Sequence, residues 1–166
     1  MKSKELLADA FGRIRGNVRS VLRGLDEEQL AWRPAGSGNS IGWLIWHLSR
    51  VQDDHLADAG GMEQVWTAGD FAARFDLPLP VPDTGYGHTS EQVASVIVAP
   101  DLLLAYAEAV LDQSLEFVRG LTPEDLDRVV DTSWNPPVTL GVRLVSVISD
   151  CLQHLGAAAY LKGLPR

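Results

Sequence analysis

The sequence predicts an all-α protein, a four-helix bundle with a long connection between its second and third long helices. Three observations lead to this expectation. Apolar residues recur at steps of three and four in separate stretches of helical length. Cap and stop residues bound those stretches where a helix needs them. The chain also echoes itself: GLDEEQL from Gly24 and GLTPEDL from Gly120 each follow a long helix and lead through a loop to a cap, SIG from Ser40 or TLG from Thr139. At 166 residues the chain is long enough for one domain, residues 1–166, with a real hydrophobic core and no need of disulfides.

The elements follow in order. Leu7, Phe11, Ile14, Val18, Val21 and Leu25 form the seam of a first amphipathic helix. Asp26, followed by Glu27 and Glu28, starts a short helical turn that ends near Arg33-Pro34, and AGSGN is a loop. Ser40 caps a second long helix to about Ala59, with Ile41, Leu44, Ile45, Leu48 and Val51 inward and Gly60-Gly61 closing it. From Gly60 to about Ala99 the periodicity gives way to glycine, proline and aromatic residues, with short helical pieces expected near 69–75 and 90–97. An ordered connection of this length is usually functional or an interface. Asp101 opens a third long helix along Leu103, Ala107, Val110, Ser114, Phe117 and Leu121. Thr122-Pro123-Glu124-Asp125 is a further helix start. After WNPPVT, Thr139 caps a last helix reaching Lys162-Gly163.

Composition narrows the function. The formal net charge of −8 disfavours a nucleic-acid partner, whose phosphates call for basic surface. Cys151 is the only cysteine, so neither a disulfide framework nor a thiolate zinc cluster is expected, and a reducing, cytoplasmic setting follows. No signal-type apolar core stands at the N-terminus, and no stretch approaches the roughly 20 apolar residues of a membrane span.

The residues that carry chemistry are histidines. His47 lies at the edge of the apolar stripe of the second long helix, and Asp150 stands one turn before His154 on the last. Residues four apart share a helix face, so Asp150 and His154 can hold one ion while His47 reaches it from a facing helix. Two imidazoles and a carboxylate leave positions open for water or substrate, as catalytic sites require. The same set serves zinc or non-haem iron. From spacing alone, a core histidine and an ordinary Asp–His pair are the commoner outcome. His55 competes as a ligand or is a satisfied core histidine, His88 sits in the long connection, and Cys151 reads as a small core residue. Trp43, Trp46, Trp66 and Trp134 lie near the proposed site or in loops able to cover it. Arg50 and Arg143 are candidates for holding a substrate carboxylate, against the commoner outcome of a solvated surface arginine. Overlaying the two caps sets His55 against His154, His47 against Ser146 and Val51 against Asp150, so the half-sites are not copies.

SIGWLIWHLSRVQDDH after LDEEQLAWRP, with the late DCLQHLG, resembles the DinB/YfiT-like superfamily of metal-binding four-helix bundles over nearly the whole chain. The resemblance implies a divalent metal held by His47, Asp150 and His154, where the family commonly has a His-x-x-x-His pair on the last helix. Asp150 departs from that pattern. A carboxylate there is similar to the branch of mycothiol-dependent maleylpyruvate isomerases, which carry a glutamate. That branch implies a thiol transferase or isomerase in which a low-molecular-weight thiol such as mycothiol is activated as a metal-bound thiolate and attacks an electrophile. Zinc is the expected metal, with nickel or iron as alternatives. Eleven arginines against three lysines fit a GC-rich genome, which favours mycothiol. The alternative reading is a non-catalytic metal or small-ligand binding bundle with a vestigial site. A homodimer is expected from the long aromatic connection.

Overall fold

A computed structural model describes residues 2–165. The helices are α1 (Ser3–Leu22), α2 (Glu27–Ala31), α3 (Ile41–Gly60), α4 (Val65–Ala68), α5 (Phe71–Phe75), α6 (Ser90–Ala94), α7 (Pro100–Gly120) and α8 (Leu140–Lys162). Four are long, and each of these packs chiefly on two others: α1 on α7 and α8, and α3 on α7 and α8. The protein is therefore the all-α four-helix bundle the sequence predicts, with α1 diagonal to α3.

The expected caps are in place. Ser40 Oγ accepts from the Trp43 amide at 3.0 Å, and Thr139 Oγ1 accepts from the Val142 amide at 3.4 Å. Gly61 ends α3 in the left-handed region at φ 63°. The core seam of α1 is Phe11, Ile14 and Val18, all fully buried. Burial of each such side chain contributes about 1.5–3 kcal/mol of transfer free energy. Leu7 and Leu25, at the ends of the expected seam, pack only partly against it.

The internal echo is structural. A Cβ on Gly42 would lie 3.2 Å from the carbonyl oxygen of Leu30, and one on Gly141 would lie 3.2 Å from that of Leu126. These are matching glycines after matching caps, each pressed on the last leucine of its GLDEEQL or GLTPEDL segment. The second copy differs in detail. The helix start expected at Thr122 becomes a 3₁₀ turn, Glu124–Asp127, followed by a small antiparallel pair, β1 (Val129–Asp131) with β2 (Val138–Thr139).

The long connection folds back over α3, so residues 41–50 are buried on every side. Its aromatics Trp66, Phe71 and Phe75 are core residues packed around Tyr106. They lie inside the protomer, while Tyr86 of the same connection is exposed. Of the helical pieces expected there, α5 and α6 form, and α4 is an addition. One described helix, α8, is long and apolar enough by length and composition to cross a membrane, which counting apolar runs did not anticipate. Here it packs against α1 and α3 as a bundle helix.

Candidate metal centre

His47 projects from α3, and Asp150 and His154 project from α8, toward one point. One ligand-type atom from each lies within 4.8 Å of the others. The two imidazole centroids are 4.6 Å apart with their planes inclined by 67°. Trp43, one turn before His47, stacks on its ring at 4.6 Å and 12°, which fixes the ring plane.

Both histidines commit the same nitrogen. His47 Nδ1 bonds the Thr84 carbonyl at 2.5 Å, and His154 Nδ1 bonds the Asp150 carbonyl one turn back at 2.8 Å. A carbonyl only accepts, so each ring carries its proton on Nδ1 and presents Nε2 as a lone pair. This is how outer groups orient metal-ligating histidines. The Asp150 carboxylate completes the set. His154 Nδ1 is 3.3 Å from Asp150 Oδ2, but its single proton points at the carbonyl, so Oδ2 is buried without a hydrogen-bond donor among the described residues. A buried acceptor with no donor is costly in a protein alone. Two imidazole lone pairs beside an undonated carboxylate oxygen fit a divalent cation held by His47, Asp150 and His154. The N,N,O donor set suits zinc and also iron or nickel.

Charge supports the fit at His47 and Asp150, whereas His154 must give up a proton to ligate. Burial lowers the pKa of His47, which keeps it neutral, although the Thr84 bond opposes this. Burial would raise the pKa of Asp150, but the neighbouring His154, with His47 and His55, prevails and holds it below the usual carboxylate range. Asp150 in turn raises the pKa of His154 against the effect of burial.

The strap that reaches His47 is residues 83–88 of the long connection. Arg50 Nε donates to the Asp83 carbonyl at 3.1 Å, and Trp43 Nε1 donates to His88 Nδ1 at 3.1 Å. His88 Nε2 then donates to Asp83 Oδ2 at 2.9 Å, and Asp83 Oδ1 accepts from the Gly85 amide at 2.8 Å. Gly85 has φ +90°, and a Cβ there would stand 2.8 Å from His47 Nδ1 and 3.0 Å from the Trp46 ring. Only glycine lets the strap lie this close.

The remaining candidates separate. Arg50 is fully buried, bonded to Gln64, Tyr106 and the Asp83 carbonyl and paired with Asp53 at 3.5 Å. It does not line the cavity beside the centre, so the expectation that it holds a substrate carboxylate with Arg143 gives way to a role in fixing the strap. Arg143 does line that cavity, with Nη2 donating to Asp131 at 2.7 Å. His55 lines it too, beyond Asp150 and outside the ligand set. Cys151 is buried, and burial pushes its thiol pKa well up, as befits a core residue. The cavity has a volume of about 580 Å³ and includes His47 and Asp150 in its wall, with the exposed rings of Tyr86 and Trp134 at its edge. A more apolar hollow of about 320 Å³, between Lys2 and Leu126, carries no such donors.

The family model of the DinB superfamily matches residues 10–158. The chain belongs to the DinB superfamily. It is also similar to a solved structure described as the conserved protein of a locus from Enterococcus faecalis, at 30% identity with a TM-score of 0.91, covering 98% of this chain and 96% of that one. No curated protein matches it.

The strap escaped sequence reading because its key contacts use backbone: the carbonyls of Asp83 and Thr84 leave no trace in residue type. The signal that was present is the run DTGYGH, whose two glycines mark close approach or positive φ.

Proposed function

We propose that this protein is a divalent-metal-dependent enzyme of the thiol transferase or isomerase kind, using a low-molecular-weight thiol such as mycothiol and a small electrophile. The observation that carries the reading is that one ligand-type atom each of His47, Asp150 and His154 lies within 4.8 Å of the others, with Asp150 Oδ2 buried and undonated among the described residues, on the wall of a cavity large enough for a small substrate. A divalent cation bound there supplies Lewis acidity, lowering the pKa of a thiol so that it reacts as thiolate near neutral pH. The chain's own residues do the rest. His47 and His154 stay in the ligating tautomer because Thr84 and Asp150 carbonyls hold their protons. Trp43 and Trp46 exclude water from the back of the centre, and Arg143 and His55 face the substrate space. The resemblance to the mycothiol-dependent isomerases supports this choice of chemistry, and Asp150 is the carboxylate that motivates it.

The test is elemental analysis and thiol conjugation to monochlorobimane, on the wild type and on His154→Ala. We expect metal and turnover in the first and neither in the second. Undiminished metal in His154→Ala would refute the ligand assignment. Tight metal without turnover by any thiol would establish the non-catalytic binding module instead.

A further inference from the structure

We propose that Tyr86 and Trp134 form a ring-binding subsite at the mouth of the metal cavity, and that the electrophile received there is a planar aromatic molecule. This rests on the metal-and-thiol reading above and adds the second substrate's chemical class.

Three large aromatic side chains are exposed among the described residues: Tyr86 at 92%, Tyr160 at 71% and Trp134 at 67%. Two of the three, Tyr86 and Trp134, line the one cavity that has His47 and Asp150 in its wall. They come from separate parts of the chain, Tyr86 from the strap after α3 and Trp134 from the turn between β1 and β2. Neither has a hydrogen bond or a ring contact among the described residues, so the Tyr86 hydroxyl, the Trp134 indole N–H and much of both rings are open to a ligand.

The backbone beneath each ring is anchored to the cavity wall. Tyr86 stands at the tip of a turn in which the His88 amide donates to the Gly85 carbonyl at 3.3 Å, between Gly85 at φ +90° and Gly87 at φ +72°. Thr84, two residues before it, bonds His47 Nδ1 through its carbonyl. Trp134 follows Ser133, whose amide donates to Asp131 Oδ1 at 2.9 Å, and the other oxygen of Asp131 accepts from Arg143 at 2.7 Å. Asp131 and Arg143 line the same cavity. Each ring is thus carried to the cavity mouth on held backbone and leaves most of its surface out of the fold.

The occupant is small. A volume of about 580 Å³ falls in the range of small-molecule sites, and a molecule lying there has the metal ligands beside it. A protein partner would need roughly 800 Å² of surface, more than two rings supply. Tyrosine and tryptophan offer rigid amphipathic area with only two side-chain torsions to freeze, and their rings prefer another ring, offset-stacked or edge-on. An aliphatic molecule of the same size gains apolar contact alone.

The test compares two unreactive amides of one size, benzamide and cyclohexanecarboxamide, titrated into zinc-loaded protein with binding followed by ligand NMR. Apolar burial by itself favours the saturated ring. We expect benzamide to bind about tenfold tighter, the effect of one to two aromatic contacts. Tyr86→Leu and Trp134→Leu keep an apolar side chain and remove the ring; each should reduce the preference and the two together should abolish it. Both positions are exposed, so zinc content and melting temperature should hold. Equal affinities, a tighter saturated amide, or a preference surviving the double substitution would overturn the proposal and leave the metal reading intact. Protein that takes up no zinc would overturn that reading, and with it the assignment of the ring to the electrophile.

Discussion

Replacing Gly85 by alanine perturbs the metal centre without touching a ligand. Two effects are expected, and the structure separates them. An L-residue at φ +90° is strained by roughly 1–2 kcal/mol. Its Cβ would also stand 2.8 Å from His47 Nδ1 and 3.0 Å from Trp46, against about 3.5–4.0 Å for unstrained contact. Trp46 is buried beneath the strap, so the strap must lift, and the bond from His47 Nδ1 to Thr84 is lost. Gly87→Ala is the control. It has φ +72° but open space where the Cβ would go, so it carries strain alone. Gly87→Ala should melt lower by about 2–8 °C, from 1–2 kcal/mol at 2–4 °C per kcal/mol for a chain of this size, and Gly85→Ala by more. Only Gly85→Ala should bind zinc more weakly, by about tenfold to a hundredfold, the usual effect of removing an outer partner of a ligating histidine. Competition with a chromophoric chelator measures the affinity. Wild-type zinc affinity in Gly85→Ala, or an equal loss in Gly87→Ala, would refute the argument that the strap sets the histidine.

Arg50→Met should destabilise the fold by about 3 kcal/mol, because Asp53 is left charged and buried; the Val65 and Trp66 amides and Tyr106 still donate to it and keep the loss at the low end. Chemical denaturation measures this, and a neutral result would show that Arg50 holds nothing in place. Asp83 titrates low: burial raises its pKa, but the Gly85 amide and His88 outweigh burial. A carboxyl whose folded pKa is depressed stabilises above its unfolded pKa and loses that contribution as pH falls through the folded value. The stability gap between wild type and Asp83→Asn, measured by denaturation across pH, should therefore be full near neutrality and close below about pH 4. Cys151 should resist iodoacetamide in the native protein and react only on unfolding, as read by mass spectrometry. Native alkylation would show that α8 opens.

The bundle was legible because its determinants are local and periodic. Ser40, Thr139 and Gly61 act where their residue types say they must, and the α1 seam buries the residues at its centre. The ligand triad was legible in part: Asp150 and His154 share a face by spacing, whereas their meeting with His47 depended on which helices pack together. Arg50 misled for a physical reason. A guanidinium four residues before Asp54 on a helix reads as solvent-facing, and the chain gives no local sign that 33 residues later the connection covers it. The β1–β2 pair was missed because strands of three and two residues are too short to show a period.

The echo between the two halves explains why the centre sits where it does. Gln52 and Cys151 occupy equivalent positions in the overlay, and they touch, Cys151 Sγ lying 3.6 Å from Gln52 Oε1. Contact between equivalents places the pseudo-twofold axis beside them. Positions 47, 51 and 55 of α3 and 146, 150 and 154 of α8 are then two equivalent sets around that axis, and five of these six residues line the cavity, with His154 joining them through the ligand cluster. A symmetric bundle offers two equivalent triads. The triad of His47, Asp150 and His154 carries three donors, whereas its image, Ser146, Val51 and His55, carries one imidazole, one hydroxyl and an isopropyl group. The backbone completes the distinction. The strap after α3 delivers the Thr84 carbonyl to position 47, while position 146 has no such bond among the described residues. A duplicated scaffold thus supplies two places for an ion, and three side chains with one carbonyl select between them.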